Sequence, residues 1–385
     1  MGSASIHYLE KLVGFPTVSR DSNLDLIGYV RAELAALGIA SDLVPSDDGR
    51  KANLFATIGP TETPGIVLSG HTDVVPCDGQ AWSSDPFTLR QAYGRLYGRG
   101  TADMKGFIAR CLAMAHQAAR RQLAVPLHFA FSYDEEVGCL GVRRLLDMME
   151  ALPIMPRFCI IGEPTLMQVA TAHKGKASWR ATAHGLEAHS ALSPLGVNAI
   201  HLATDLVGGI RALQQEVETS GARDGDYDVP YTTVHVGRIA GGETTNIVPN
   251  RAVLEFEIRH LPQDDASVLL GRVKQIAEEI AARARDRFAA TRFEFEPLIS
   301  YPALDTAPDS EVVSFVKSLT GANATTKISF GTEGGLFQQR LGVPTVVCGP
   351  GSIAVAHKPD EYVETAQLEA CDAFLARLVE RISAS

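Results

Sequence analysis

Short apolar runs that end abruptly in acidic or imidazole side chains recur along the first half of this chain. They restrict its fold more than any other feature. Ile66-Val-Leu68 leads into Ser69-Gly-His71-Thr-Asp73, and Leu127–Tyr133 into Asp134-Glu135-Glu136. Cys159-Ile-Ile161 leads into Gly162-Glu163-Pro-Thr165, while Asp103 stands just before a helical pattern at 104–121. Short apolar runs bounded by turn residues read as buried strands. Helical patterns lie around and between them, at 22–37 (capped by Ser22), 104–121 and 140–149. Such alternation predicts an α/β domain with a largely parallel sheet. The polar clusters then fall at the strand ends, where open α/β sheets bind ligands.

Near residue 176 the pattern changes. A half-exposed strand at 176–183 is followed by a helix at 197–218, strands at 231–239 and 251–259, a helix at 265–285 and a strand at 291–296. That order is the split βαβ, ferredoxin-like arrangement. Alternation resumes after 300, with a helix at 309–319, a strand at 343–348 and a final helix from Thr365. The reading is a catalytic α/β domain, 1–175 and 297–385, carrying an inserted α+β domain, 176–296. A length of 385 residues suits two domains.

Composition narrows the partners. A net charge of −10 argues against nucleic acid, since no basic face dominates to neutralise phosphates. No apolar stretch approaches the ~18 residues of a membrane span. Met1–Phe15 has no signal-peptide pattern, and Ile6 stands where a myristoylation site needs Ser or Thr. Six cysteines without a CxxC pair read as reduced core thiols, which points to the cytoplasm.

Taken singly, each site residue has an ordinary explanation. His71 could be a loop histidine, Asp103 a carboxylate favoured by a helix dipole, Glu135-Glu136 a solvated pair, and Glu163 part of a turn. Gathered at one sheet edge, they describe a metal site. Asp73 can orient the ring of His71, as carboxylates do behind metal-binding histidines. Adjacent carboxylates at the end of an apolar strand repel unless a cation is present.

Five ordered segments carry a resemblance that spans nearly the whole chain. They are Gly70-His-Thr-Asp73-Val-Val-Pro76, Gly98-Arg-Gly-Thr-Ala-Asp103-Met-Lys-Gly106, Asp134-Glu-Glu136-Val-Gly138, Gly162-Glu163-Pro-Thr165 and Gly349-Pro-Gly-Ser-Ile-Ala-Val-Ala-His357. Together they resemble the dizinc aminoacylase and carboxypeptidase family. The resemblance implies two zinc ions, for which cobalt can substitute. His71 and Glu163 would hold one, Glu136 and His357 the other, with Asp103 bridging and a cis peptide after it. Glu135 would be the general acid/base. Imidazole and carboxylate ligands without cysteine suit a catalytic zinc.

The resemblance also implies a homodimer in which His189 reaches the partner's active site to stabilise an oxyanion. Asn246 and Arg259 would bind a substrate carboxylate, Arg through its bidentate fork. Gly331 and Thr332 would close over the substrate backbone, with Ser352 a further contact. The C-terminal segments resemble the acetylornithine-deacetylase branch, which hydrolyses N2-acetyl-L-ornithine to L-ornithine and acetate in arginine biosynthesis. Another N-acyl-amino-acid hydrolase, such as a desuccinylase or a broad aminoacylase, is the alternative within the family. A non-catalytic metal-binding scaffold is the alternative outside it. Glu333 would meet the ornithine cation or cap the helix that starts there.

Overall fold

A computed structural model describes residues 3–384. Met1 and Gly2, on which the myristoylation reading turns, lie outside the described residues. The chain forms two compact units. One comprises the chain up to Ala172, Leu304–Lys327 and the chain from Thr332 on. The other comprises His173–Ala303 and Ile328–Gly331.

The first unit is built on a mixed sheet. Its centre is parallel: Leu127–Ser132, Ile66–His71, Phe158–Pro164 and Thr345–Gly349 lie side by side in that order. All four strands are buried throughout, so both faces demand apolar side chains and the sequence reads as unbroken apolar runs. The flanks are antiparallel, which corrects the expectation of a largely parallel sheet. Ala52–Ile58 pairs antiparallel with Leu127–Ser132, and Ser41–Pro45 with Ala52–Ile58. The cause is local: Ser41–Pro45 and Ala52–Ile58 are joined by the tight turn around Gly49, whose φ is +68°. A short connection can join only antiparallel neighbours.

The helix Lys105–Ala118 packs Phe107, Ile108 and Leu112 into a core shared with Leu9, Leu12, Phe374 and Leu378. Gly162 lets it come close, because a Cβ there would overlap the Phe107 ring. The first expected helix runs Leu24–Ala36; Asn23 holds the N-cap position, while the Ser22 hydroxyl accepts the Leu24 N–H at 3.2 Å. The Asn23 amide caps nothing and instead pairs with the backbone of Ala52, fixing the helix to the sheet.

In the second unit four antiparallel strands are ordered Thr233–Gly241, Arg251–His260, Gly175–His184, Arg292–Tyr301. The helices Ala199–Ser220 and Ala266–Ala284 cover one face, over Ala181, Leu254, Phe256 and Ile258. Chain order and sheet order together are ferredoxin-like. The unit exceeds 176–296 because Arg292–Tyr301 pairs with Gly175–His184 as far as Tyr301 opposite Lys176. Among the described residues no helix is long and apolar enough to cross a membrane.

Candidate metal centre

The C-terminal ends of the four parallel strands bring five side chains together in the first unit. His71 ends its strand, and Glu163 stands next to last in Phe158–Pro164. Glu136 follows Leu127–Ser132, His357 lies beyond Thr345–Gly349, and Asp103 precedes Lys105–Ala118. The Asp103–Met104 peptide is cis.

Asp103 stands at the centre with its two oxygens divided. Its Oδ1 lies 2.9 Å from His71 Nε2, and its Oδ2 lies 3.2 Å from His357 Nε2. His71 Nε2 is 3.5 Å from Glu163 Oε1, and His357 Nε2 is 3.0 Å from Glu136 Oε2. Two clusters fit a metal ion: His71 with Glu135 and Glu163, and His71 with Asp103 and Glu136. Glu136 Oε1 is buried without a hydrogen-bond partner among the described residues, an acceptor in want of a cation.

The charges do not settle without one. Burial pushes Glu135 and Glu163 well above the ordinary carboxylate range, and neighbouring carboxylates add to it against the pull of His71. Glu136 is pushed up to about 7 by burial and by Asp103. Asp103 is buried too, yet hydrogen bonds from His357 and His71 hold it below its usual value. Hydrogen bonds to Asp103 and Glu136 raise His357 to about 10. Like charges this close cannot all ionise in a dry site unless cations join them. The donor set, carboxylates and imidazoles without thiolate, suits zinc or a similar divalent ion.

Asp73 does more than was expected of it. His71 Nδ1 lies 2.9 Å from the Asp73 backbone carbonyl and 3.5 Å from its carboxylate. The carboxylate instead accepts the Glu135 and Glu136 backbone N–H groups at 3.0 and 3.3 Å, and the Ser19 hydroxyl at 2.6 Å. One side chain thus ties the loop carrying two site carboxylates to the strand end carrying His71. Ser19 gave no signal in the sequence, because nothing local marks a hydroxyl whose partner is 54 positions away.

Glu333 stands at the N-cap of its helix, but its side chain neither caps it nor is open to a ligand. It is 1% exposed and makes no side-chain cap bond. Its oxygens accept hydrogen bonds from Ser132 at 2.5 Å and Ser69 at 3.3 Å. Both earlier readings are therefore corrected: the tertiary fold places two hydroxyls against it. Thr332 is buried, and its hydroxyl accepts the Gly334 N–H at 3.0 Å. Ser352 Oγ accepts the Ala354 N–H.

The remaining candidates lie in the second unit. His189 is exposed and pairs with Ile247 in a two-stranded ladder, and the Ser190 N–H donates to the Asn246 carbonyl at 2.9 Å. Arg259 donates to the Tyr301 hydroxyl at 3.0 Å and to Glu257 at 3.0 Å. Gly331 is pressed against the Tyr301 ring, where a Cβ would overlap it. His189 with Asn246, and Arg259 with Gly331, are thus two separate groups.

Comparison with known proteins agrees with this chemistry. Residues 67–381 match the peptidase family M20/M25/M40. An acetylornithine deacetylase of Shigella sonnei is 35% identical over 367 residues, 94% of this chain and 93% of that protein. One of Proteus mirabilis is 34% identical over 382 residues, 97% and 96% of the two chains. Among solved structures, an M20 family metallo-carboxypeptidase of Sulfolobus solfataricus superposes with a TM-score of 0.80 at 18% identity, covering 99% of both chains. A dinuclear metal binding peptidase of the M20 family from Bacillus subtilis gives 0.70 at 17% identity, covering 98% and 97%. The chain belongs to peptidase family M20/M25/M40 and is a hydrolase of amide bonds.

Proposed function

We propose that this chain is a two-metal deacetylase that hydrolyses N2-acetyl-L-ornithine to L-ornithine and acetate. The divided Asp103 carboxylate carries the two-metal reading: one oxygen faces His71 and the other His357. Asp103 would be shared by two zinc ions, or cobalt in their place. His71 and Glu163 would complete one half-site, Glu136 and His357 the other. When bound, the ions lower the pKa of water and polarise the acyl carbonyl.

Glu135 is the group that moves the proton. It takes a proton from water as the water oxygen attacks the acetyl carbon, then delivers it to the nitrogen as the C–N bond breaks. Asp73 holds the Glu135 and Glu136 N–H groups and so fixes where that carboxylate points. Arg259, steadied by Tyr301, offers its guanidinium to the substrate carboxylate, and Gly331 and Thr332 close over the substrate backbone. Two relatives named acetylornithine deacetylase, at 35% and 34% identity, support the choice of substrate.

Where the second unit carries its groups supports a dimer. Asn246 and His189 adjoin the Arg251 end of the strand Arg251–His260, and Arg259 lies at its other end. At ~3.4 Å per residue those ends are roughly 27 Å apart, too far for one small substrate to touch both groups in one chain. That separation supports a role for His189 and Asn246 in the partner's site. The sheet edges support this. Both edge strands carry a bulge, but Arg292–Tyr301 is also guarded by Pro297, whereas Thr233–Gly241 leaves Ile239 46% exposed on an edge unpaired among the described residues. Five buried thiols and no disulfide suit a cytoplasmic enzyme.

The test is kcat/KM for N2-acetyl-L-ornithine, N-succinyl-diaminopimelate and a panel of N-acetyl amino acids, with zinc or cobalt supplied. Preference for acetylornithine is expected, and preference for the succinylated substrate would sink the proposal.

A further inference from the structure

We propose that Gln80, Arg99 and Glu361 form a clamp that positions His357 against Asp103, with Gln80 governing one half-site alone. The inference rests on the two-metal reading above. Arg99 and Glu361 lie in the first unit with side chains 1% and 0% exposed, joined at 2.6 Å. The second Glu361 oxygen accepts the backbone N–H of Ala102 at 3.0 Å and of Asp103 at 3.2 Å. Arg99 Nη2 donates to Gln80 Oε1 at 2.7 Å, and Gln80 Nε2 donates to the His357 carbonyl at 2.9 Å. Trp82 Nε1 donates to the same Gln80 oxygen at 3.0 Å, and the Arg99 guanidinium lies 5.0 Å from the Trp82 ring centroid. One connected network therefore grips the backbone of Asp103 and of His357, two residues 254 positions apart in the chain.

Stability does not explain the network. A buried ion pair gains little over apolar side chains of the same volume. What it gives here is orientation. The His357 side chain is 49% exposed, so packing does not hold its ring. Its φ is +62°, a conformation that side chains other than glycine seldom adopt without outside support. The position of the imidazole thus depends on its backbone, and Gln80 is a hand on that backbone. Gln80 does not touch Asp103, whereas Glu361 holds the residue both ions would share. The clamp therefore has two separable effects. Loss of Gln80 loosens the half-site of His357 and Glu136 alone, and loss of the Glu361 charge loosens both.

Metal-free full-length protein titrated with Zn²⁺ by calorimetry, and with Co²⁺ by visible absorption, tests this without turnover. The parent takes up two ions. Gln80→Leu weakens one binding step about 10- to 100-fold, the usual cost of losing support behind a ligand, and leaves the other in place. His357→Ala removes the same step. Arg99→Lys falls between Gln80→Leu and the parent, and Glu361→Gln weakens both steps. The melting temperature of metal-free Gln80→Leu matches the parent, which separates positioning from general damage. Uptake of fewer than two ions by the parent defeats the two-metal reading, and the clamp with it. Two ions in the parent and two equally tight steps in Gln80→Leu overturn the clamp alone, as does equal weakening of both steps.

Discussion

At the scale of single residues, half-buried Glu135 and buried Glu333 are both carboxylates near His71 with different consequences. Glu135→Ala removes the proposed proton carrier and no bridging group. We expect kcat to fall by about 10²- to 10⁴-fold, the usual range for a general base. Metal content should be unchanged, and loss of bound metal with turnover would show that Glu135 is a ligand instead. Glu333 sits among serines, and burial pushes its carboxyl from 4.5 up to about 7, the Ser132 hydrogen bond notwithstanding. The unfolded chain releases this proton first, so between those values the folded form holds more protons. A raised acid therefore costs the metal-free protein stability as pH rises from about 4.5 to about 7. Glu333→Gln does not titrate. Its stability relative to the parent should rise by on the order of 3 kcal/mol across that window. Urea unfolding in chelator at both ends checks it, and parallel pH curves would refute it.

At the scale of elements, the site depends on how closely strands and helices approach. Gly349 pairs with Pro164 across parallel strands, and a Cβ on Gly349 would overlap the Gly162 carbonyl. Backbone cannot swing aside as a flexible side chain can. Gly349→Ala should cost about 1–3 kcal/mol by overpacking. It should also weaken metal binding, because Glu163 and the His357 loop are pushed apart. Gly28, inside Leu24–Ala36, has open space around its Cβ position. Gly28→Ala should stabilise by about 0.5–1 kcal/mol through helix propensity. Denaturant unfolding of the pair decides, and equal effects of one sign would contradict the packing argument.

At the scale of the whole molecule, the proposed dimer makes completion of the site depend on assembly. Inactive Glu135→Ala and inactive His189→Ala chains, refolded together, test the partner role directly. In a mixed dimer one site has Glu135 from one chain and His189 from the other, and the second site has neither. Random pairing then restores about a quarter of the parent activity. No recovery in a mixture shown to contain mixed dimers would mean that His189 serves its own chain. Ile239→Lys on the open strand edge should shift the protein toward monomer in light scattering, since an inserted charge disfavours edge pairing.

Much of this was legible in the chain alone. Fully buried parallel strands must be apolar and must stop where polar chemistry begins, so strand, strand end and site residue appear in one short segment, as at Ile66–His71. The second unit was legible because its helices and half-exposed strands have different periods. Other features had no local mark. Ser41–Pro45 is short, and its sides are not clearly divided between core and solvent. Glu333 looked like a cap or a substrate contact, because the serines that receive it are 264 and 201 positions away. Arg99 stood inside a motif segment and Glu361 just beyond one, neither with a role, since a buried ion pair is defined by its partner. The sequence by itself determined which residue types stand at the strand ends, and hence the class of chemistry. Only the tertiary structure decided which oxygen of Asp103 faces which histidine, what holds His357, and that Glu333 is sealed away, because each depends on distances between segments that are remote in the chain.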